Sequence, residues 1–343
     1  PKYIFQNPSF KKTERIQMVL KNKKTVFVSG GTGKIGQYLV KLLSKNNFLV
    51  RVLTRKNFNP WEGDDNITLL EGDLLEEQSI KKGITDCHYI FHLAVYQNTN
   101  DIDRENFYQV NVKATENLLL AGLNEGVEKI INVSSIVVFK STGKTQRDES
   151  WELCQQTDLD HYASTKLESL YKTRNLIASY PSPSPVITVF PTAVIDQSHT
   201  KSDDSSDFST IQRFVWKKVG GGAPGGVINL IGQGDRILNY VSMGDLVDGL
   251  LLAAKYGKSG EEYILGGENI TARNYLKTLM KKRKETVFPF RIPVFPFKII
   301  FLFKSIFKLP PIISIIARNI PGDCFFSSEK AKKELEYNPK GRL

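Results

Sequence analysis

The segment Thr25–Gly36, TVFVSGGTGKIG, limits the possible folds more than any other stretch of the chain. Thr25–Ser29 is a short apolar run that stops at glycines, which predicts a buried parallel strand. Glycines follow at 30, 33 and 36, and behind them Ile35, Leu39, Leu42 and Leu43 recur at helical spacing over 34–43. A strand that turns through glycines into a helix is suited to anions. One glycine permits the tight turn, the next lets backbone approach a diphosphate, and the third lets helix pack on strand. The helix N-terminus then presents N–H groups and partial positive charge. Gly30, Thr32, Gly33, Lys34, Ile35 and Gly36 are therefore the candidate cradle of a dinucleotide.

The same alternation continues along the chain. Strands are expected at 49–53, 67–70, 89–93, 129–133 and 186–190, and helices at 74–82, 104–126 and 161–178. Strands alternating with helices predict an α/β fold, a Rossmann-type doubly wound parallel sheet covered on both faces. A length of 343 residues with 41% hydrophobic content supports that core and a smaller lobe besides. The expected division is a basic extension over 1–24, an NAD(P)-binding domain over 25–195, and a C-terminal substrate-binding lobe over 196–343, from which 227–256 returns to the first core. Alternating prolines make 181–185 a loop, and 197–226, polar and then glycine-rich, reads as a surface segment.

The second strand ends in Thr54 and Arg55, with no Asp or Glu for a ribose 2′-hydroxyl. A carboxylate would repel a 2′-phosphate, whereas a guanidinium can grip it through paired hydrogen bonds. NADP(H) is the expected cofactor, with NAD the alternative if Arg55 is only a surface residue. Further on, Tyr162 and Lys166 stand one helical turn apart. A phenol is a poor base near neutral pH, and a neighbouring ammonium favours phenolate. That pair suits proton transfer to or from a substrate oxygen. The strand at 129–133 delivers Ser134 and Ser135 to its carboxyl end, where ligands bind in open α/β sheets. A serine there can orient the substrate oxygen, or merely satisfy local backbone groups.

Taken together these motifs resemble the extended short-chain dehydrogenase/reductase family, of the NAD(P)-dependent epimerase/dehydratase type, from about residue 25 onward. The similarity rests on GGTGKIG (30–36), GDL (72–74), HLAV (92–95), NVKATENLL (111–119), VSSIVVF (133–139) and YASTK (162–166). The resemblance implies catalytic roles for Tyr162, Lys166, Ser135 and Asn111, the last supporting a proton relay. It implies that Asp73 contacts the adenine, and that Leu74, Leu93, Ala94, Val95, Pro191 and Val194 join Thr54, Arg55, Tyr162 and Lys166 in lining the cofactor. EEYILGGENIT (261–271) and CFFSSEKAKKELEYNP (324–339) are similar to the dihydroflavonol reductase-like, hopanoid-associated sugar epimerase and farnesol dehydrogenase subgroup, which implies an alcohol or ketone substrate, on a lipid or isoprenoid. Phe190-Pro191 stands where the family often has Arg-Pro, and Phe139-Lys140 where it has Tyr-Gly.

The formal charge of +11 attracts anions, but runs such as Lys281–Lys284 lack the interleaved aromatics of a single-strand binder, so no nucleic acid partner is expected. Cys87, Cys154 and Cys324 are odd in number and widely spaced, which suits a reducing intracellular compartment, cytoplasmic or organellar. His88, His92, His161 and His199 share no ligand spacing, so no metal is expected. Residues 287–320 are apolar, interrupted by prolines and by Lys298, Lys304 and Lys308. They read as an amphipathic stretch, either walling an apolar pocket or touching a membrane surface. Three functions follow from these features: an NADP-dependent oxidoreductase acting on an apolar alcohol or ketone, a nucleotide-sugar epimerase, and a non-catalytic cofactor-binding subunit of a larger, membrane-associated complex. Beyond a small-molecule substrate, a homodimer or larger assembly is compatible with the sequence.

Overall fold

The computed structural model describes residues 23–55, 58–97, 103–140, 145–155, 160–181, 183–195, 235, 237–271, 273–274, 278 and 324–341. The expectations for 1–22, 197–226, Lys281–Lys284 and 287–320 lie outside them.

The elements alternate as the hydrophobic pattern requires. They run β1 (Thr25–Ser29), α1 (Lys34–Lys45), β2 (Leu49–Thr54), β3 (Ile67–Glu71), α2 (Glu77–Ile84) and β4 (Tyr89–His92). A continuous helical run follows, made of α3 (Arg104–Tyr108), a π-helical turn (Gln109–Lys113) and α4 (Ala114–Glu125). Then come β5 (Lys129–Val133), a 3₁₀ turn (Ile136–Val138), α5 (His161–Ser179), β6 (Val186–Pro191) and β7 (Ala193–Ile195). The C-terminal part supplies β8 (Ile237–Ser242), α6 (Met243–Tyr256), β9 (Glu262–Leu265), β10 (Glu268–Thr271) and α7 (Glu329–Leu335).

Seven strands form one sheet in the order β3-β2-β1-β4-β5-β6-β9. Every pairing in it is parallel. The strand order reverses between β1 and β4, which opens a crevice outside their carboxyl ends. Side chains of β4 and β6 are buried along their whole length, as strands covered on both faces must be. On one face, Leu39, Leu42 and Leu43 of α1 and Leu246, Val247 and Leu250 of α6 pack on Val26, Val28 and Phe91. On the other, Ile80 and Ile84 of α2 and Leu118, Leu119 and Leu123 of α4 pack on Phe27, Ile90 and Ile130. A third cluster, with Phe139, Leu167, Leu170, Phe190, Ile264 and Phe326, ties α5 to the far edge of the sheet.

Three features differ from the sequence expectation. First, α2 begins at Glu77 rather than at residue 74. Asp73 is the cause: its Oδ1 accepts the Leu75 N–H (2.9 Å) and its carbonyl accepts the Glu76 N–H (3.1 Å), so 73–76 form a turn. Second, Glu262–Leu265, within the segment assigned to the C-terminal lobe, supply the seventh strand through pairing with β6. Third, β8 pairs antiparallel with β10 and parallel with β7 in a small separate sheet. These strands are too short for their periodicity to show.

Candidate functional site

Gly30 has a left-handed φ of +69°, and a Cβ there would lie 2.6 Å from the Ala94 backbone nitrogen. A Cβ on Gly36 would collide with the Gly30 carbonyl oxygen. Only glycines allow this approach of loop, helix and neighbouring strand. The Gly33 N–H closes the turn on Gly30 O at 3.1 Å, and Gln37 Nε2 holds the Thr32 carbonyl at 2.8 Å. Gly33 is the N-cap of α1, with no side-chain cap and no acidic residue in the first turn. No carboxylate of that first turn opposes an anion, and the first N–H groups of the helix have no intrahelical partner. Gly33 and Lys34 are exposed, while Thr32 and Ile35 are half-buried. A dinucleotide diphosphate fits this cradle.

The flanking strand ends complete the cofactor side. Thr54 is buried at the end of β2 and Arg55 is exposed just beyond it. The Gly72 N–H donates to Thr54 O at 3.1 Å, which brings the Asp73 turn beside Arg55. Leu74 puts its side chain into the second core, and the half-buried Leu93 and Ala94 lead to an exposed Val95. Pro191 is buried at the end of β6, and Val194 packs against the first core from β7.

The candidate catalytic residues lie at the carboxyl end of β5 and on α5. Asp160 caps α5 by accepting the Ala163 N–H at 2.7 Å, which sets the helix start just before Tyr162. The Ser135 hydroxyl acts on the Tyr162 phenol as a hydrogen-bonding group that works to lower its pKa. Because Ser135 Oγ accepts the Val137 N–H (3.4 Å), its own proton is available for the phenol oxygen. Burial pushes Tyr162 above the usual phenol range, the Ser135 bond works against that shift, and Asp160 adds to it. Lys166 is buried and donates to Val133 O at 3.1 Å, and burial brings its ammonium down to about 8. This differs from the expectation that Lys166 lowers the tyrosine: its described contact is with β5, and the net shift of the phenol is upward. The Ser134 hydroxyl at the end of β5 and the Thr192 hydroxyl after β6 are buried with no hydrogen-bond partner among the described residues.

Asn111 sits fully buried on the π turn. Its Oδ1 accepts the Tyr96 N–H (2.8 Å), and its Nδ2 donates to Tyr96 O (3.0 Å) and to Thr165 Oγ1 (3.1 Å). Among the described contacts its side chain braces the 93–97 loop against α5. The structure thus joins Ser135 with Tyr162, Lys166 with β5, and Gly30 with Leu93 and Ala94. No described contact links Arg55, Asp73, Pro191 or Val194 to them directly.

Sequence reasoning missed the supporting shell. Gln37 and Thr192 lie outside the quoted motifs, and Thr165 stands inside YASTK at a position to which the motif gives no role. His92 shares no ligand spacing with the other histidines, yet it is buried between Ser29 and Thr115, with Nδ1 2.6 Å from Ser29 Oγ and Nε2 2.8 Å from Thr115 Oγ1. Its place in the HLAV run was the one available signal.

Residues 26–266 match the model of the NAD dependent epimerase/dehydratase family. Among curated relatives, a putative dihydroflavonol 4-reductase of Synechocystis sp. is 28% identical over 262 residues, covering 74% of this chain and 71% of that one. A 4-hydroxy-2-methyl-3-oxo-4-farnesyl-3,4-dihydroquinoline-1-oxide ketoreductase of Stigmatella aurantiaca is 26% identical over 274 residues, covering 74% of this chain and 72% of that one. Among solved structures, the crystal structure of gox2253 superposes with a TM-score of 0.71 at 26% identity, covering 93% of this chain and 94% of that one.

Proposed function

The chain belongs to the NAD dependent epimerase/dehydratase family and is an NAD(P)-dependent enzyme, and from that premise we propose that it interconverts an apolar alcohol and its ketone or aldehyde with NADP(H). The observation that carries this reading is buried Lys166 on the Val133 carbonyl, one helical turn from Tyr162 on α5 and next to Ser135 after β5, at the carboxyl edge of the sheet whose glycine cradle opens at Gly30. In this reading Gly30–Gly36 hold the diphosphate, Arg55 takes the 2′-phosphate, and Asp73 meets the adenine. Leu93–Val95, Pro191 and Val194 line the remainder of the cofactor.

When bound, the cofactor supplies or accepts the hydride. The chain's own residues handle the proton and the geometry. Ser135 orients the substrate oxygen, and Tyr162, a phenol kept protonated by burial, donates its proton to that oxygen in the reducing direction. Lys166, with one ammonium proton on Val133 O, offers its others to the cofactor ribose. Asn111 holds Tyr96 and Thr165 in register.

An apolar substrate is favoured by the exposed Val95 and Val137 next to the cofactor loop and Ser135, by the apolar composition of 287–320, and by the farnesyl-bearing substrate named for the Stigmatella relative. The test is NADPH binding to the purified protein by fluorescence, with NADH as control, followed by turnover on ketones, aldehydes and isoprenoid alcohols. Tight NADPH binding, weak NADH binding and steady NADPH consumption are expected. Cofactor that survives purification, without net consumption, would replace this reading with an epimerase. A folded protein that binds neither dinucleotide would sink it.

A further inference from the structure

His92 lies at the carboxyl end of β4, beside the point where the strand order reverses, and is 2% exposed. Its hydrogen bonds settle the direction of a whole chain of donors. The Thr115 hydroxyl donates its single proton to the Asn111 carbonyl at 2.9 Å. Thr115 Oγ1 can therefore only accept from the imidazole, so Nε2 carries the hydrogen across the 2.8 Å contact. Nδ1 is then bare and accepts the Ser29 hydroxyl at 2.6 Å. Ser29 Oγ in turn accepts the Ala94 N–H at 3.5 Å. The donors run one way along this line, from Ala94 through Ser29, His92 and Thr115 to Asn111. A second proton on the ring would face the Ser29 proton and break the sequence.

The two ends of this chain meet different parts of the site. Ser29 immediately precedes Gly30, and Ala94 N is the atom that a Cβ at Gly30 would strike. Asn111, at the other end, braces Tyr96 and Thr165, the residue before Lys166. We propose that His92, in its Nε2–H tautomer, is a positioning residue that locks the phosphate cradle at Ser29–Gly30 to the Asn111 π turn behind the catalytic face. The inference rests on the dinucleotide reading above. Burial and the nearby Lys166 ammonium hold the imidazole at about 3, which keeps it neutral under ordinary conditions.

Two measurements on the full chain test it. Nitrogen-15 NMR of labelled histidine should show His92 with a protonated Nε2 and a bare Nδ1, unchanged between about pH 5 and 8, where ordinary histidines titrate. Fluorescence titration with NADPH should find that Ser29→Ala weakens binding roughly tenfold, as the loss of one buried hydrogen bond would. Thr115→Val cuts the same line on the Asn111 side of the ring, so it should weaken NADPH binding in the same direction and also shift the Asn111 side-chain amide signals. Thermal melts would establish that both variants fold. A His92 ring that titrates in that range, an Nδ1–H tautomer, or wild-type NADPH binding in Thr115→Val would overturn the proposal. Wild-type protein that binds neither NADPH nor NADH would overturn the dinucleotide reading instead, and the positioning role would then stand or fall on the ring spectrum.

Discussion

Tyr162 and Arg55 carry the two most specific chemical assignments in the chain, and they were legible to different degrees. Tyr162 stands in a Tyr-x-x-x-Lys pattern, and the Ser135 hydroxyl works to lower its pKa. What the pattern did not show was the sign of the shift: burial outweighs the Ser135 hydrogen bond and leaves the phenol above its usual range. Replacing Tyr162 by Phe removes the transferable proton while keeping the ring. The expected result is a loss of turnover of about two orders of magnitude or more, with NADPH affinity nearly unchanged, read by steady-state kinetics and fluorescence titration. Arg55 lies exposed past the end of β2 and beside the Asp73 turn. Arg55→Ala should weaken NADPH by about tenfold or more, the scale of a charge-assisted hydrogen bond, and leave NADH unaffected. Equal loss for both dinucleotides would remove Arg55 from the 2′-phosphate.

At the scale of elements, the glycine turn and the π turn contrast. The first is written in the sequence, because Gly30 and Gly36 sit where a Cβ would meet backbone. Gly36→Ala must push α1 away from β1 and from the Gly30 carbonyl. Overpacking of that kind costs about 1–3 kcal/mol, so a lowered unfolding midpoint in urea and lost NADPH binding are expected together. A variant that binds NADPH normally would show that the helix can shift without harm to the cradle. The π turn at Gln109–Lys113 left no readable mark, since a single extra residue in a 104–125 helical run hardly alters its apolar spacing. Yet that turn is what places Asn111 under Tyr96 and against Thr165. Helix starts were blurred for a similar reason: Asp73 competes locally for the backbone of 73–76, and side-chain hydrogen bonds of this kind are invisible to hydrophobic periodicity.

At the scale of the whole molecule, the buried polar network makes stability depend on pH. An unfolded chain holds His92 near its ordinary value of 6.5, whereas the fold brings it to about 3. Below about pH 6.5 the unfolded state therefore binds a proton that the native state refuses, and stability falls as pH drops from that point toward 3. Lys166, brought from 10.5 to about 8 by burial, acts at the other end: the unfolded state binds more protons between those values, so stability rises with pH there. Urea unfolding at about pH 7 and pH 5 should show a steeper loss on acidification in wild type than in His92→Gln, whose amide does not titrate in that range. Equal slopes would mean that His92 is accessible to protons in the native state.

Local pattern determined the alternating elements, the parallel sheet, the glycine turn and the one-turn spacing of Tyr162 and Lys166, because each is encoded within one or two turns of chain or one strand. Tertiary structure alone decided that β9 closes the far edge of the sheet, that β7, β8 and β10 form a second one, and that Ser29, His92, Thr115 and Asn111 make a single hydrogen-bonded line. The residues of that line are spread over 82 positions from Ser29 to Asn111 and a further four to Thr115. Hydrogen bonds need donors and acceptors within about 3 Å, and only the packing of β1, β4 and the helical run against one another brings such distant residues that close.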